Sequence, residues 1–126
     1  MIQGVGTDLC RIERIARAME NPRFAARIYT PAERARMENL GPERRAERAA
    51  GLFAAKEAVA KALGTGFSGF GFADVEILAD GNGRPVVSLH GGAAALAPEA
   101  AIHLSITHDA GLAMAFAVIE IKEGGQ

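Results

Sequence analysis

Residues 43–66 read ERRAERAAGLFAAKEAVAKALGTG, and this stretch predicts the longest helix of the chain. Alanine and the unbranched charged residues are strong helix formers, and the stretch is rich in both. Gly41-Pro42 precedes it as a loop, so we expect the helix to span residues 43–63. Gly64 then suits the left-handed conformation in which many helices end. The rest of the chain should pack on this helix.

Beyond the helix the apolar pattern changes to alternation, which predicts two β-hairpins. Residues 75–78 and 85–89 are joined by residues 80–83, Asp-Gly-Asn-Gly, which tolerate positive φ in a tight turn. Residues 102–107 and 112–121 are joined across residues 109–111. Gly91-Gly92 opens a short helical piece between the hairpins, and Pro98 limits it.

The last strand is apolar on both faces, so we expect it to be central in its sheet and covered by the long helix. No repeat, linker or low-complexity segment divides the chain. The sequence therefore predicts an α+β fold, an antiparallel sheet packed on a long helix, in a single domain over residues 1–126.

Short elements are predicted ahead of the long helix. Residues 2–6 read as a strand entering a helix capped by Thr7-Asp8, which would place Asp8 at a strand-to-helix junction. Residues at helical spacing follow, and these are Leu9, Ile12, Ile15, Ala16 and Met19. Asn21-Pro22 breaks this helix, and residues 24–28 form a short segment. Residues 30–33 form a capping box that begins a helix running to about Asn39.

Composition and the N-terminal residues limit the class of protein. Of the 126 residues, 49% are hydrophobic and 23% charged, an ordinary globular balance. A core of this size leaves little room for a deep private pocket, which favours a site shared between subunits. Residues 1–5 carry no basic segment and no apolar run fit for a signal or membrane span, so we expect a cytoplasmic protein. Cys10 has apolar neighbours, which favours a buried thiol over a reactive one.

Charge is distributed unevenly along the chain. Residues 1–63 contain 12 Lys or Arg and 8 Asp or Glu, whereas residues 64–126 contain 2 and 7. The basic half could attract an acidic partner, and the alternative is a solvated helical surface. Nucleic acid is disfavoured as a partner, because the basic stretch has few aromatic residues and the whole chain is slightly acidic.

Charged residues lie on one face of the long helix. Phe53, Glu57 and Lys61 follow at i, i+4 and i+8, which stacks them on that face. The alternative to a functional role is a surface salt bridge between Glu57 and Lys61, a common feature of solvated helices.

Two further polar stretches are candidates for binding. Gly64, Thr65 and Gly66 would let backbone amides approach an anion, although such a stretch also simply stops a helix. In the last hairpin His103, Ser105 and Thr107 alternate with apolar residues, so a hydroxyl-bearing face ends in His108 at the turn. The alternative for His108 is a capped surface histidine, which is also how His90 is interpreted.

Three ordered blocks carry a family resemblance. They are residues 4–8, GVGTD; residues 53–58, FAAKEA, with 61–66, KALGTG; and residues 105–109, SITHD. In this order they resemble the holo-acyl-carrier-protein synthase family of phosphopantetheinyl transferases. With residues 80–85 the resemblance spans essentially the whole chain. Two positions depart from the family pattern: Cys10-Arg11 stands where an acidic residue is frequent, and Leu52 where an arginine is frequent.

The resemblance implies an activity and a metal site. The family's enzymes move the 4'-phosphopantetheine group of coenzyme A to a serine of apo acyl carrier protein, release adenosine 3',5'-bisphosphate, and support fatty acid biosynthesis. Asp8 and Glu57 would coordinate Mg²⁺, whose hard oxygen ligands include substrate phosphates. Lys61 would contact the pyrophosphate and offset charge on the leaving group. The general base stays open between Glu57 and a metal-bound water.

The resemblance also implies an assembly and two binding surfaces. Typical family members are homotrimers with sites at the subunit interfaces. The coenzyme A contacts would be Lys61, Gly64, Thr65, Gly66, Pro85, Ser105, Thr107 and His108, with Arg44 or Arg45 near the 3'-phosphate. The carrier protein would dock on Arg14, Phe24, Arg27 and Phe53. Two rival interpretations are a non-catalytic relative that binds a carrier protein and a Mg²⁺-dependent hydrolase of nucleotide pyrophosphates.

Overall fold

The structure is a computed structural model that describes residues 1–122. The sequence predicts a frayed tail over residues 122–126, and all of it except Lys122 lies outside the described residues. Helices and strands alternate irregularly along the chain. In order they are β1 (Ile2–Arg11), α1 (Ile12–Ala18), α2 (Pro22–Ile28), α3 (Pro31–Ala35), α4 (Pro42–Ala62), a 3₁₀ turn (Phe72–Asp74), β2 (Val75–Ala79), β3 (Pro85–Leu89), α5 (Gly91–Leu96), β4 (Ala100–Asp109) and β5 (Leu112–Ile121).

Two antiparallel sheets flank α4. One has the strand order β1-β5-β4, and the other is the β2-β3 hairpin. The predicted α+β class, both hairpins and the central position of the last strand are confirmed. The β4-β5 turn places Ala110 at φ 51° and Gly111 at φ 79°, the left-handed pair that a two-residue hairpin loop requires.

Small residues allow α4 to lie close to the three-stranded sheet. On β5 the side chains facing the helix are Ala113, Ala115, Ala117 and Ile119, and all are buried. On β1 the positions facing the helix include Gly4 and Gly6. A Cβ on Gly6 would collide with the carbonyl oxygen of Ala58, and one on Gly4 with that of Ala62. The strand and the helix therefore touch through their backbones.

Gly6→Ala should destabilise the fold, because the obstacle is helix backbone that cannot rotate away. Overpacking of a core commonly costs about 1–3 kcal/mol, and we expect the upper part of that range. Urea unfolding would measure the loss, with Gly41→Ala as the control because a Cβ there meets nothing within 4 Å. Equal unfolding midpoints for the two variants would contradict the close packing.

The predicted cap at Thr7-Asp8 is wrong, because β1 continues to Arg11 and α1 begins at Ile12. Asp8 lies within the strand, where it pairs with Ala115. Hydrogen bonding explains the difference: the β5 partner is ten residues long, and its pairing with β1 extends to Arg11 opposite Leu112. Extended pairing outweighs the helical spacing of the apolar residues in this stretch.

The helix predicted to reach Asn39 ends earlier, since α3 stops at Ala35. The Arg45 guanidinium donates to the carbonyl groups of Met37, Glu38 and Leu40 at 3.2, 3.1 and 2.9 Å. These bonds satisfy a non-helical backbone between α3 and α4. The capping box at the start of α3 is confirmed.

One face of the three-stranded sheet is open. The prediction that α4 covers β5 holds for one face only, because the opposite side chains of β1 and β5 point away from the helix. Val5, Leu9, Met114 and Phe116 are large hydrophobic residues that remain 57%, 60%, 40% and 40% exposed. They form a contiguous patch, since Leu9 pairs with Met114 and the neighbouring positions pair in register. We call these four residues the open sheet face.

Within residues 1–122, no helix is both long enough and apolar enough to cross a membrane.

Candidate active site

Asp8 and Lys61 meet where β1 crosses the C-terminal half of α4. The Lys61 ammonium lies 3.2 Å from Asp8 Oδ1 and donates to the Thr7 carbonyl at 2.9 Å. The Asp8 side chain is 16% exposed and that of Lys61 52%, so the carboxylate is partly covered while the ammonium reaches the protein surface. Lys61 reaches the strand because the glycines of β1 bring it close to the helix.

Glu57 lies one helical turn before Lys61 and completes this group. Its partial burial raises its pKa above the ordinary value, and the negative charge of Asp8 raises it further. The cations of Lys61 and Arg14 oppose the shift. Two carboxylates thus share one neighbourhood, in which the negative charge of Asp8 disfavours the ionised form of Glu57. A bound cation would relieve this repulsion.

The donor set fits a Mg²⁺ ion that keeps part of its shell for substrate and water. Mg²⁺ is usually held by one or two carboxylates plus phosphate oxygens rather than by a complete protein cage. Residues 1–122 contain no group of three or more His, Cys, Asp or Glu that could hold a metal. Cys10, at the position where the family pattern often has an acid, is buried and donates its thiol to the Ala50 carbonyl at 3.4 Å. Burial and the Asp8 charge raise the pKa of that thiol.

A basic cavity of about 530 Å³ lies beside the N-terminal half of α4. Arg44, Arg48, Arg84, Pro85, Ser105 and His108 are among its lining residues. Leu52 also lines it, at the position where the family pattern often has an arginine, and Arg48 lies one turn before Leu52 on the helix. Arg44 rather than Arg45 is available to a ligand here, because Arg45 is engaged with the α3-α4 backbone.

The predicted coenzyme A residues divide into two groups within one chain. Lys61, Gly64, Thr65 and Gly66 lie at the C-terminal end of α4, near Asp8. The others belong to β3 and β4, and these are Pro85, Ser105, Thr107 and His108. Arg48 precedes Glu57 by nine residues on α4, so this arginine of the basic cavity is about 14 Å from Glu57 along the axis.

The predicted polar edge of β4 is divided between two faces of the sheet. Ser105 and Thr107 alternate with Ile106, which packs on Gly51 of α4, so both hydroxyls belong to the side away from the helix. His108 lies on the helix side instead, with Nδ1 3.9 Å from Glu47 Oε2. The prediction that the hydroxyl face ends in His108 is therefore wrong within one chain.

Three of the four predicted docking residues lie together. The rings of Phe24 and Phe53 stack at 6.2 Å between centroids, and the Arg14 guanidinium lies 5.8 Å from the centre of Phe53. Phe53 is buried, so it supports this surface from beneath rather than forming it. Phe24 is half-buried, and Arg27 is exposed at the end of α2.

The sequence interpretation missed Arg48 and Arg84 as cavity residues. A signal for each was present: Arg48 is one helical turn from both Arg44 and Leu52, and Arg84 directly precedes Pro85. Sequence spacing alone does not reveal that the β2-β3 turn folds back to the start of α4, which brings these arginines together.

Comparison with known proteins identifies one family. The model of the 4'-phosphopantetheinyl transferase superfamily matches residues 4–117. A holo-(acyl-carrier-protein) synthase of Methylobacterium sp. (strain 4-46) is 50% identical over 133 residues, covering 95% of this chain and 95% of the relative. Another, of Clostridium novyi (strain NT), is 44% identical over 129 residues, covering 99% of this chain and 92% of the relative.

Solved structures of similar proteins agree with this family. A holo-(acyl-carrier-protein) synthase from Bacillus anthracis str. Ames, in complex with CoA (3',5'-ADP), superposes with a TM-score of 0.85 at 36% identity, covering 97% of this chain and 99% of that one. The Helicobacter pylori holo-(acyl-carrier-protein) synthase, in complex with coenzyme A, gives a TM-score of 0.80 at 28% identity, covering 92% and 99%.

Proposed function

The chain belongs to the 4'-phosphopantetheinyl transferase superfamily and is an enzyme of that class, and we propose that it modifies acyl carrier protein with the help of Mg²⁺. The reaction would move 4'-phosphopantetheine from coenzyme A to a serine hydroxyl of the apo carrier protein and release adenosine 3',5'-bisphosphate. Fatty acid biosynthesis is the pathway that such a product supports. The observation that carries the proposal is the grouping of Asp8, Glu57 and Lys61 where β1 crosses α4.

The three side chains would divide the work of the reaction between them. Asp8 and Glu57 would hold Mg²⁺, which when bound neutralises charge on the pyrophosphate and on the leaving group. The Lys61 ammonium lies beside the Asp8 carboxylate and is partly exposed, so it can turn toward a phosphate oxygen. Such fixed charges stabilise a phosphoryl-transfer transition state without reorganisation.

Glu57 is the group of this chain best suited to accept the proton of the attacking serine. A general base must lie within hydrogen-bonding reach of the proton that it accepts, and Glu57 lies beside Asp8 and Lys61, where the phosphates and the serine hydroxyl would meet. Because its carboxylate has two oxygens, it can hold the cation through one and receive a proton on the other.

The basic cavity of one subunit would bind the nucleotide end of a coenzyme A molecule whose pyrophosphate lies at Asp8 and Glu57 of a neighbouring subunit. Only a ribose separates the 3'-phosphate of coenzyme A from its pyrophosphate, whereas Arg48, the arginine of the basic cavity nearest to Glu57 on α4, lies about 14 Å from it along the helix of the same chain. The distance could be shorter between the carboxylates of one subunit and the basic cavity of its neighbour, if the two subunits meet there. The open sheet face supplies an apolar surface for that contact, and we infer a homotrimer with three shared sites.

Lys61→Ala should mainly lower kcat, because its charge is most useful when the leaving phosphate gains negative charge. We expect a loss of roughly 100-fold, as for removal of one transition-state donor. Steady-state kinetics over a range of coenzyme A concentrations would measure it, with Lys122→Ala at the end of β5 as the control. A change confined to KM for coenzyme A would make Lys61 a ground-state contact instead.

The docking surface would bind an acidic carrier protein through Arg14 and Arg27 around Phe24. Arg14→Glu/Arg27→Glu should raise KM for the carrier protein at least roughly tenfold at low salt, with coenzyme A binding nearly unchanged. The loss should shrink as salt screens the repulsion. Lys122→Glu is the control for a charge reversal elsewhere, and unaltered carrier-protein kinetics in the double variant would remove this surface from the proposal.

Mass spectrometry of an apo carrier protein tests the whole proposal. After incubation with this enzyme, coenzyme A and Mg²⁺, the carrier protein should gain the mass of one phosphopantetheine group on one serine. EDTA should prevent the gain. Coenzyme A turnover with no carrier protein present and no mass increase would instead favour a pyrophosphate hydrolase.

A further inference from the structure

Lys56 directly precedes Glu57 on α4, yet its side chain points into the core. It is fully buried, and its ammonium donates to the carbonyl groups of Phe72, at 3.1 Å, and Val75. The third partner is Glu33 Oε1, at 2.9 Å. An ammonium has three N–H groups, so each has an acceptor.

Glu33 extends this contact to two other parts of the fold. Its Oε1 also accepts from the Thr30 amide at 2.8 Å, and its Oε2 accepts from the Ile77 amide at 2.7 Å. The ion pair therefore joins α4 to the start of α3 and to β2. A buried pair with every polar atom satisfied is specific in geometry, and loss of either partner leaves an uncompensated charge.

The stretch of residues 64–71, which we call the glycine segment, begins beside Lys61 and has no helix or strand of its own. Gly64, Gly66 and Gly69 adopt positive φ, and a Cβ built on any of them meets nothing within 4 Å. Glycine backbones are permissive, so such a segment needs contacts at its ends to keep one conformation.

Phe72 connects the buried ammonium to this segment. Its carbonyl accepts from Lys56, while its ring stacks on Phe53 of α4 at 5.2 Å and on Phe67 at 3.9 Å between centroids. Phe67 directly follows Gly66. Lys56 therefore contacts Phe72, Phe72 contacts Phe67, and Phe67 is bonded to Gly66 of the glycine segment.

We propose that Lys56 is a positioning residue that fixes the glycine segment through Phe72 and Phe67 and so holds its backbone where coenzyme A binds. The inference rests on the proposed function for the identity of the ligand. Its structural part, that the ion pair restrains residues 64–71, is independent of that function. Lys56 does not touch the reacting groups in this arrangement, since its ammonium is fully engaged in the core.

The test uses Lys56→Met/Glu33→Gln, which removes both charges together and keeps side chains of similar length. Hydrogen exchange of the intact enzyme should show faster exchange for amides of residues 64–71 than in the wild type. KM for coenzyme A should rise about 10-fold or more, as for loss of other outer contacts of a site, while KM for the carrier protein stays near its wild-type value.

Phe67→Leu provides a second variant that leaves the ion pair intact. It should reproduce both effects, because it interrupts the path between Phe72 and Gly66. Ile119→Val on β5 is the matched control for a general loss of stability, since Ile119 is buried on the sheet side of α4.

The outcomes separate positioning from simple stabilisation. If the double variant and Phe67→Leu lower the unfolding temperature like Ile119→Val but leave exchange of residues 64–71 and KM for coenzyme A unchanged, the proposal is wrong. Should the double variant not fold, Phe67→Leu decides on the same two readouts. If the wild type transfers nothing, the proposed function fails, and the exchange comparison still decides the structural part.

Discussion

Alanine in place of Asp8 or Glu57 is expected to abolish phosphopantetheine transfer while the protein stays folded. Each substitution removes one of the two neighbouring carboxylates that would hold Mg²⁺. We expect kcat/KM to fall by at least about 100-fold, since the charges that stabilise the transition state depend on this pair. The rate of mass increase on the carrier protein, measured over a series of Mg²⁺ concentrations, reports the loss.

A matched control comes from Glu13, an exposed carboxylate on α1 that pairs with Arg17 at 2.8 Å. Glu13→Ala should keep nearly full activity, because exposed ion pairs contribute little. Near-full activity of the Asp8 or Glu57 variant at low Mg²⁺ would contradict the metal assignment.

Glu57→Gln distinguishes lost chemistry from lost structure. Burial and Asp8 raise the pKa of Glu57 in the folded state, so the wild type loses stability as pH rises from the ordinary Glu value, about 4.3, through the raised one. A glutamine side chain is neutral at every pH, so its burial carries no cost of ionisation. With EDTA present, the inactive variant should therefore unfold at a higher temperature than the wild type at neutral pH, and the difference should vanish below about pH 4.

The fold was predictable where local signals agree with long-range pairing. Alanine content and Gly64 define α4 almost to the residue, and the turn residues define both hairpins. The end of β1 was not predictable from local spacing. Leu9, Ile12 and Ile15 repeat at helical spacing, which favours a helix, whereas residues 7–11 form the end of a strand. Pairing with β5 decides between them, and that partner is more than a hundred residues away.

The candidate site was likewise only partly predictable from the sequence. Glu57 and Lys61 share a helical face that spacing reveals, and the resemblance supplied Asp8 as their partner. The sequence does not single out Lys56, because a lysine on an alanine-rich helix is ordinarily solvated. Its burial depends on Glu33, which precedes it by 23 residues, and on carbonyl groups that follow α4. Such partners are brought together by the tertiary fold alone.

Two inactive variants should restore activity when they assemble together, if each site takes its two ends from different subunits. Glu57→Gln removes the metal end, and Arg44→Ala/Arg48→Ala removes the basic cavity at the other. A homotrimer made of either variant alone should be nearly inactive. In a closed ring of three, every mixed trimer contains one site of its three with both ends intact, so the purified mixed trimers should show about a third of the wild-type rate.

Co-expression with two different tags and successive purification on both would yield the mixed trimers. The control pairs Glu57→Gln with Asp8→Asn, two variants of the same end, for which no mixed trimer has an intact site. The control should therefore stay inactive. Because Asp8 and Glu57 lie together in one chain while Arg48 lies about 14 Å along α4 from Glu57, the two pairings differ only in whether subunits can complement each other. Mixed trimers of the first pair without recovered activity would show that one chain supplies both ends, and the inferred assembly would lose its main support.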